Sequence, residues 1–427
     1  MDHPSPITRS AQRIGFLLQT YVLLLALRQT LNLPLTESKL QPPELVFGLL
    51  GPLAIWHYGR RLLPPANLFL GGTLLYLGVL TVSALRHPQL PILLEAAGRW
   101  YLLLLFAITA AVVWRGGRAA ATALLRAWTL ALVIAVAVAY AGYALALLGY
   151  PNDYVRLYEN YPYFGTVYRA ASTVGGPTPL AIFGALPLIW HYRRWRTGHA
   201  RSGWLVAVVL PILLLTFAKE MVLVALGCAL VDPLLRRARV LPPLLVLLTA
   251  GFYWSVTHYL VEPPRDYAPG DLSGVVFNSG RVVYRTDDFQ LTETSYAAIK
   301  RACLDLSNRH PWLGVGPDRT PHYLPAQKTA GVYPAHLPAY IPHSTYFGAV
   351  GETGWLGLAG VLLLVAGAWR ITAANLRRRG DDVDLALLGF LVLLLVGGVA
   401  MDLLHLRFVW LALGLLVGYR ALPAARA

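Results

Sequence analysis

Long apolar runs recur along the whole chain, and short segments that carry arginine separate them. A membrane-spanning α-helix needs about 20 consecutive, predominantly apolar residues. The pattern therefore predicts an all-α integral membrane protein with about twelve transmembrane helices. We place these helices at residues 14–32, 43–58, 66–85, 97–114, 120–148, 178–192, 203–217, 219–235, 240–258, 344–368, 384–400 and 404–420.

The arginine clusters give the predicted helices a direction. Cytoplasmic loops of membrane proteins carry an excess of lysine and arginine. With twelve spans, every arginine-rich loop falls on the same side of the membrane, so we expect both termini to be cytoplasmic. The clusters lie at residues 60–61, 115–118, 193–196, 236–239 and 377–379.

One long polar segment, residues 259–342, interrupts the apolar pattern between the ninth and tenth spans. The topology places it on the outer side of the membrane as a large, partly helical loop. Within it we predict a helix at about 286–309, which begins at Thr286 and ends before Pro311. We expect a single membrane domain: spans one to nine in residues 1–258, the loop in 259–342, and the last three spans in 343–427.

Composition agrees with this fold class. The chain is 56% hydrophobic and 13% charged, against roughly 25% charged in soluble domains. The net charge of +15 would suit nucleic acid, but the arginines follow the topology, so we expect membrane lipids and no nucleic acid as partners. Cys228 and Cys303 are the two cysteines, and they show no zinc-ligand spacing. The cysteines therefore do not predict a zinc site, and we expect no metal and no cofactor.

The residues best suited to chemistry lie in segments that we predict to be on the outer face. Lys219 lies at the tip of the hairpin between the seventh and eighth spans, Arg169 in an earlier outer loop, and Arg281 and Arg285 in the long loop. Arginine offers phosphate a bidentate fork and lysine a point charge. His343 ends the long loop, and histidine can accept a proton near neutral pH. These residue types suit a substrate that carries a diphosphate.

Each of these features also has a simpler interpretation. Outer-face arginine and lysine side chains can reach lipid phosphates without any catalytic role, and a histidine before a helix can be a cap. The tyrosines of the outer loop at about 149–177 form either an interfacial aromatic belt or a surface that stacks on sugar rings. A secondary transporter would also have twelve spans, but its ionisable groups should lie near the membrane midplane. Here most charges lie outside the predicted spans.

Glu352 follows His343 by nine residues, which is about two and a half helical turns into the tenth span. A carboxylate at that depth should face the protein interior and have a partner. We count it among the substrate-binding candidates, with a bond to a neighbouring helix as the alternative. Glycines at every third position from 348 to 357 would let another helix or a lipid chain approach closely.

Three motifs occur in a fixed order along the chain. They are Ser279-Gly280-Arg281, then Pro311-Trp312-Leu313-Gly314-Val315-Gly316, and then His343-Ser344 followed by Glu352-Thr353-Gly354-Trp355-Leu356-Gly357. Together they resemble the O-antigen ligase and polymerase family of bacterial cell-surface glycan assembly. The resemblance implies an inverting, metal-independent glycosyltransferase of the C-type membrane fold. It would lie in the bacterial inner membrane with a periplasmic active site.

The resemblance also implies substrates and roles. The donor would be an oligosaccharide on undecaprenyl diphosphate, and the acceptor another lipid-linked glycan or the lipid A–core. His343 would be the catalytic base and Arg281 would hold the diphosphate, with Lys219, Arg285 and Arg169 as helpers. Family members usually carry Thr-x-Ser-Arg-Gly at the hairpin tip, where this chain has Thr-Phe-Ala-Lys-Glu at 216–220. This departure favours a polymerase, and a ligase stays open as the alternative.

Overall fold

The computed structural model describes residues 6–27, 41–64, 67–161, 165–238, 240–262, 264 and 279–420. Within these ranges the chain is mostly helical, and short strands form two small sheets. The helices are α1 (Pro6–Leu24), α2 (Pro42–Tyr58), α3 (Leu68–Leu85), α4 (Leu90–Leu147), α5 (Pro177–Arg196), α6 (Ala200–Leu214), α7 (Met221–Val231), α8 (Leu241–His258), α9 (Ser295–Arg309), α10 (Thr320–Thr329), α11 (Thr345–Arg378), α12 (Asp382–Gly397) and α13 (Arg407–Arg420).

The helices follow the predicted apolar runs. In the described part of the chain, four helical segments are long and apolar enough to cross a membrane, namely Ser10–Leu27 and the helices α3, α4 and α11. Helix α4 covers the fourth and fifth predicted spans, and Gly117, at φ 66° and ψ −154°, breaks it between them. The mostly helical, apolar fold is thus confirmed, while the count of twelve spans and the cytoplasmic termini stay predictions. Residues 28–40, 265–278 and 421–427, which include the end of the first predicted span and part of the long loop, lie outside the described residues.

The core of the bundle lies around α4. Phe106 of α4 is fully buried, and its ring lies 5.0 Å from that of Phe69 in α3 and 6.4 Å from that of Trp410 in α13. Helices α3 and α11 approach even more closely. A methyl group added at Gly360 would lie 2.6 Å from the backbone nitrogen of Tyr76. Small residues at such contacts let helix backbones pack directly against each other.

Two antiparallel sheets lie outside the helices. Strands β1 (Val155–Tyr161) and β2 (Gly165–Ala170) form a hairpin in the outer loop predicted at 149–177. Strands β3 (Tyr259–Glu262), β4 (Ser279–Arg285) and β5 (Gln290–Thr294) form a sheet in the order β3-β5-β4. In its register, Glu262 lies opposite Gln290, and Ser279 lies opposite Thr294, the last residue before α9.

The predicted start of the long-loop helix is wrong. The helix α9 begins at Ser295 rather than near Thr286, because residues 290–294 form β5. Polar residues of this strand bond to the neighbouring strand β3, where Glu262 Oε1 accepts from Gln290 Nε2 and from Thr292 Oγ1, each at 3.0 Å. Tertiary pairing with β3 thus overrides the local helix signal. The predicted end is confirmed, since α9 finishes at Arg309.

A break in α11 joins the helix to the loop region. Gly354 has φ 68° and ψ −169°, so the regular hydrogen-bond pattern stops there. Trp355 N–H donates to Pro311 O at 2.8 Å, while the carbonyl of Gly351 accepts from Val315 N at 3.1 Å. The turn at residues 311–318, called here the glycine turn, therefore satisfies backbone groups that the broken helix leaves open. An irregular helix needs such partners inside a membrane protein.

Replacing Gly354 with alanine should destabilise the protein. The added methyl group would lie 2.5 Å from the carbonyl carbon of Trp312, and alanine in this backbone conformation costs roughly 1–3 kcal/mol. Thermal unfolding of the purified protein in detergent measures the loss. Gly78→Ala in α3 is the matched control, because nothing lies within 4 Å of its added carbon. Equal melting temperatures for the two variants would contradict this account of the break.

Candidate active site

Four side chains from three parts of the chain meet where the long loop joins the helices. Lys219 Nζ lies 3.7 Å from the centre of the Tyr296 ring. The Tyr296 ring lies 5.5 Å from the ring of His343, and Lys300 follows Tyr296 by one helical turn on α9. We call Lys219, Tyr296, Lys300 and His343 the central site. It brings together two residues predicted from the sequence and two that were not.

The turn between α6 and α7 positions Lys219. Thr216 holds this turn, since its hydroxyl accepts from Ala218 N at 3.2 Å and donates to Leu213 O at 2.6 Å. From β2, Arg169 Nε donates to Thr216 O at 2.7 Å, and its guanidinium lies 4.6 Å from the centre of the Tyr158 ring. Arg169, predicted to bind substrate, thus fixes the hairpin tip next to the central site.

The start of α11 positions His343. Ser344 caps the helix by accepting from Phe347 N at 3.2 Å, and its hydroxyl donates to Gly398 O at 3.0 Å. Thr345 N donates to the same carbonyl at 2.8 Å. His343 itself is partly buried, and the ring of Tyr340 lies 6.1 Å from its own. Its backbone is therefore held by the segment that follows α12.

The environment of the site lowers the pKa values of both Lys219 and His343. Burial and the charge of Arg169 lower the pKa of Lys219 to about 8, against the opposing effect of Glu220. Glu220 forms no ion pair with Lys219 in the described structure; its carboxylate accepts from Tyr253 Oη at 3.1 Å. Burial, followed by the charge of Lys219, also lowers the pKa of His343. At neutral pH this imidazole is a proton acceptor beside a cation.

The two arginines of β4 lie at different distances along the sheet from the start of α9. Arg281 pairs with Glu293 at 3.5 Å, and its side chain is 68% exposed. Glu293 also binds Arg301 at 2.5 Å. The register places Arg281 near the residues that precede α9, whereas Arg285 is exposed at the far end of the strand, opposite Gln290. Arg281 thus contacts Glu293 instead of the central site.

Glu352 lies in α11 beside the glycine turn. Its Oε1 accepts from Asp318 N at 3.2 Å, and its carbonyl accepts from Gly316 N at 2.9 Å. Ser83 of α3 donates to the same carbonyl at 3.3 Å and to Leu313 O at 2.7 Å. The expected partner of the carboxylate is thus a backbone N–H of the turn. This contact gives Glu352 a positioning role, and its role in substrate binding stays a prediction.

The family model described as O-antigen ligase matches residues 164–362. The match covers slightly less than half of the chain, and it supports the resemblance to the O-antigen ligase and polymerase family that the motifs carry. The matched region includes all six predicted site residues and the whole central site. A search of the curated proteins found no match. Within the described ranges, no cluster of three or more histidine, cysteine, aspartate or glutamate side chains could hold a metal ion.

Sequence reasoning missed two residues of the central site. Tyr296 and Lys300 are buried or partly buried on α9, and with Cys303 they recur at helical spacing on one face. Cys303 packs at Gly351 of α11, where an added methyl group would lie 3.2 Å from its Sγ. The spacing was available from the sequence. What it could not give was the surface against which that face packs.

The glycine turn gives a test of the role of Glu352. Glu352→Gln should keep the turn in place, because glutamine retains an oxygen that can accept from Asp318 N–H. Glu352→Ala removes that oxygen and should speed hydrogen exchange in peptides covering residues 311–318, as mass spectrometry measures it. The Gln variant is the matched control. Wild-type exchange in the Ala variant would show that this contact does not hold the turn.

Proposed function

We propose that the protein is a membrane glycosyltransferase that polymerises O-antigen or exopolysaccharide repeat units. Its donor is an oligosaccharide on undecaprenyl diphosphate, and the reaction takes place at the periplasmic face of the bacterial inner membrane. The observation that carries this proposal is that Lys219 and His343 both lie beside the ring of Tyr296, with Lys219 Nζ at 3.7 Å and the His343 ring at 5.5 Å from its centre. A partly buried cation and a neutral imidazole beside the same ring suit a diphosphate leaving group and an acceptor hydroxyl.

The donor diphosphate lies against Lys219 in this proposal. Among the described residues, no carboxylate lies within ion-pair distance of the Lys219 ammonium, so an anion can take that place. Arg281, the residue that the family motif implies, is exposed and lies near the start of α9. It reaches the diphosphate by exchanging Glu293 for phosphate, with Arg285 as a further helper. Arginine binds phosphate through two parallel N–H groups.

The transfer is a single displacement. The acceptor hydroxyl oxygen attacks the anomeric carbon, the bond from that carbon to the diphosphate oxygen breaks, and the diphosphate leaves with the electron pair. His343 takes the hydroxyl proton, and attack opposite the leaving group inverts the anomeric configuration. Because the leaving group is already activated, positioning and charge neutralisation by Lys219 supply most of the catalysis. The proposal uses no metal ion or cofactor.

The acceptor decides between two members of this reaction class. We prefer a polymerase to a ligase because residues 219–220 are lysine and glutamate instead of the arginine and glycine that are usual in the family. The description of the matching family model, O-antigen ligase, favours transfer to the lipid A–core instead. Both reactions use the same donor, the same base and the same displacement.

Turnover of a lipid-diphosphate-linked repeat unit by the purified protein tests the proposal. The donor alone should give a ladder of products on a gel, because each product can accept the next repeat. His343→Ala should lower turnover by about 10²-fold or more, the range expected when a general base is removed.

Other results of the same assay would change the conclusion. A single transfer that appears only when lipid A–core is added would establish a ligase in place of a polymerase. Full turnover by His343→Ala would contradict the base assignment. No release of lipid diphosphate from a native donor under either condition would refute the glycosyltransferase.

The pH dependence of turnover should report on His343. The base must be neutral, so activity should fall only as pH drops through its lowered pKa, below the ordinary 6.5. Lys219→Met removes a nearby positive charge and should raise the pKa of His343, which moves this acid limb to higher pH. Lys219→Arg keeps the charge and serves as the control. An acid limb that is the same in all three proteins would contradict the coupling.

A further inference from the structure

One lysine of the central site is buried and has no ionic partner among the described residues. Lys300 of α9 is 4% exposed, and its Nζ contacts His258 Nε2 at the end of α8. Aromatic rings surround it, since Nζ lies 5.1 Å from the centre of the Trp254 ring and 5.6 Å from that of Phe347. Phe347 is in the first turn of α11, four residues after His343. Lys300 therefore lies beside the first turn of α11, directly after the proposed base His343.

The protonation of His258 follows from its contacts. Its Nδ1 lies 2.7 Å from Trp254 O, and a carbonyl oxygen can only accept, so Nδ1 carries the hydrogen. The Nε2 atom is then an acceptor for Lys300, and stacking on Trp254 at 3.7 Å between ring centres holds the imidazole in place. A lysine ammonium has three N–H groups. Among the described residues, His258 is the one hydrogen-bond acceptor that Lys300 has, so further N–H groups remain for a ligand.

The charged groups around Lys300 do not neutralise it. The α6–α7 turn contributes the positive charge of Lys219, and α8 contributes the imidazole of His258. From α11, the uncharged ring of Phe347 faces Lys300, whereas Glu352 of the same helix acts on Cys303. On the neighbouring strand β5, the carboxylate of Glu293 is already paired with two arginines. Burial and the charge of Lys219 accordingly lower the pKa of Lys300 to about 7.

Lysine is rare in this chain, so its presence twice at the central site is unusual. The sequence contains 32 arginines and four lysines, and two of the four lysines are at the central site. Arginine stays charged at any physiological pH, whereas a buried lysine can release its proton. An unpaired charge in an apolar site is costly, and a neutral amine avoids that cost. A pair of lysines is thus suited to a site that carries less positive charge without an anion than with one.

We propose that Lys219 and Lys300 together bind the diphosphate of the polyprenyl-linked donor, and that Lys300 takes up a proton when this anion binds. The inference rests on the proposed function and adds a residue and a protonation step to it. One ammonium offers a single point of contact to a phosphate, and a second ammonium supplies the other. The arriving anion supplies the counter-charge that the empty site lacks.

Titration calorimetry on the purified full-length protein tests the proposal, with undecaprenyl diphosphate as the probe in detergent. Binding at pH 8 in two buffers of different ionisation enthalpy gives the number of protons taken up. Wild type should take up protons. Lys300→Arg should bind with less uptake, because arginine is already charged, and Lys300→Met should bind at least tenfold more weakly. Lys328→Met, at a partly buried lysine of α10, is the matched control and should behave as wild type.

The outcomes separate this inference from the function on which it rests. Wild-type affinity in Lys300→Met, or unchanged proton uptake in Lys300→Arg, would overturn the inference even if glycan transfer is established. Weaker binding by Lys300→Met together with no transfer from any native donor would keep the lysine pair as a diphosphate site and refute the transferase. If the Met variant does not fold, proton uptake by the Arg variant decides the question alone.

Discussion

The structure depends on the bond between a broken helix and a turn. Where Gly354 interrupts α11, the glycine turn supplies a donor for the carbonyl of Gly351 and an acceptor for Trp355 N–H. Neither element could keep this shape alone, because each would leave backbone groups without partners inside an apolar protein. The contact ties the region after α9 to the membrane helix that follows His343. It therefore sets where the loop residues lie relative to the proposed base.

A second constraint is the scarcity of countercharge at the central site. Lys219, Lys300 and His343 all have their pKa values lowered by burial, and the charge of Lys219 lowers those of the other two further. The nearest acid along the chain, Glu220, is turned to Tyr253. A site of this kind is completed by an anionic ligand. In the proposed reaction, the same property serves binding, where phosphate would supply the missing charge, and catalysis, where a neutral imidazole is the form that accepts a proton.

Most of the helices and half of the central site could be predicted from the sequence. The rest could not, for physical reasons. Membrane helices follow from composition, so the bounds of α3 and the start of α11 were predicted closely, whereas α11 continues to Arg378, beyond the predicted end at residue 368. Strand β5 was missed because its partner residue Glu262 is 28 residues away from Gln290. Lys300 was missed for a related reason, since its contact with His258 joins residues 42 apart. Both depend on packing between elements, which a single sequence does not display.

The most direct test of the account is a structure of the full chain, by cryo-electron microscopy, with the lipid-diphosphate-linked donor bound. We predict that the diphosphate lies within hydrogen-bond distance of the Lys219 ammonium, with the anomeric carbon of the first sugar toward His343. A diphosphate bound away from both residues, for example beside the arginines at 377–379, would contradict the account.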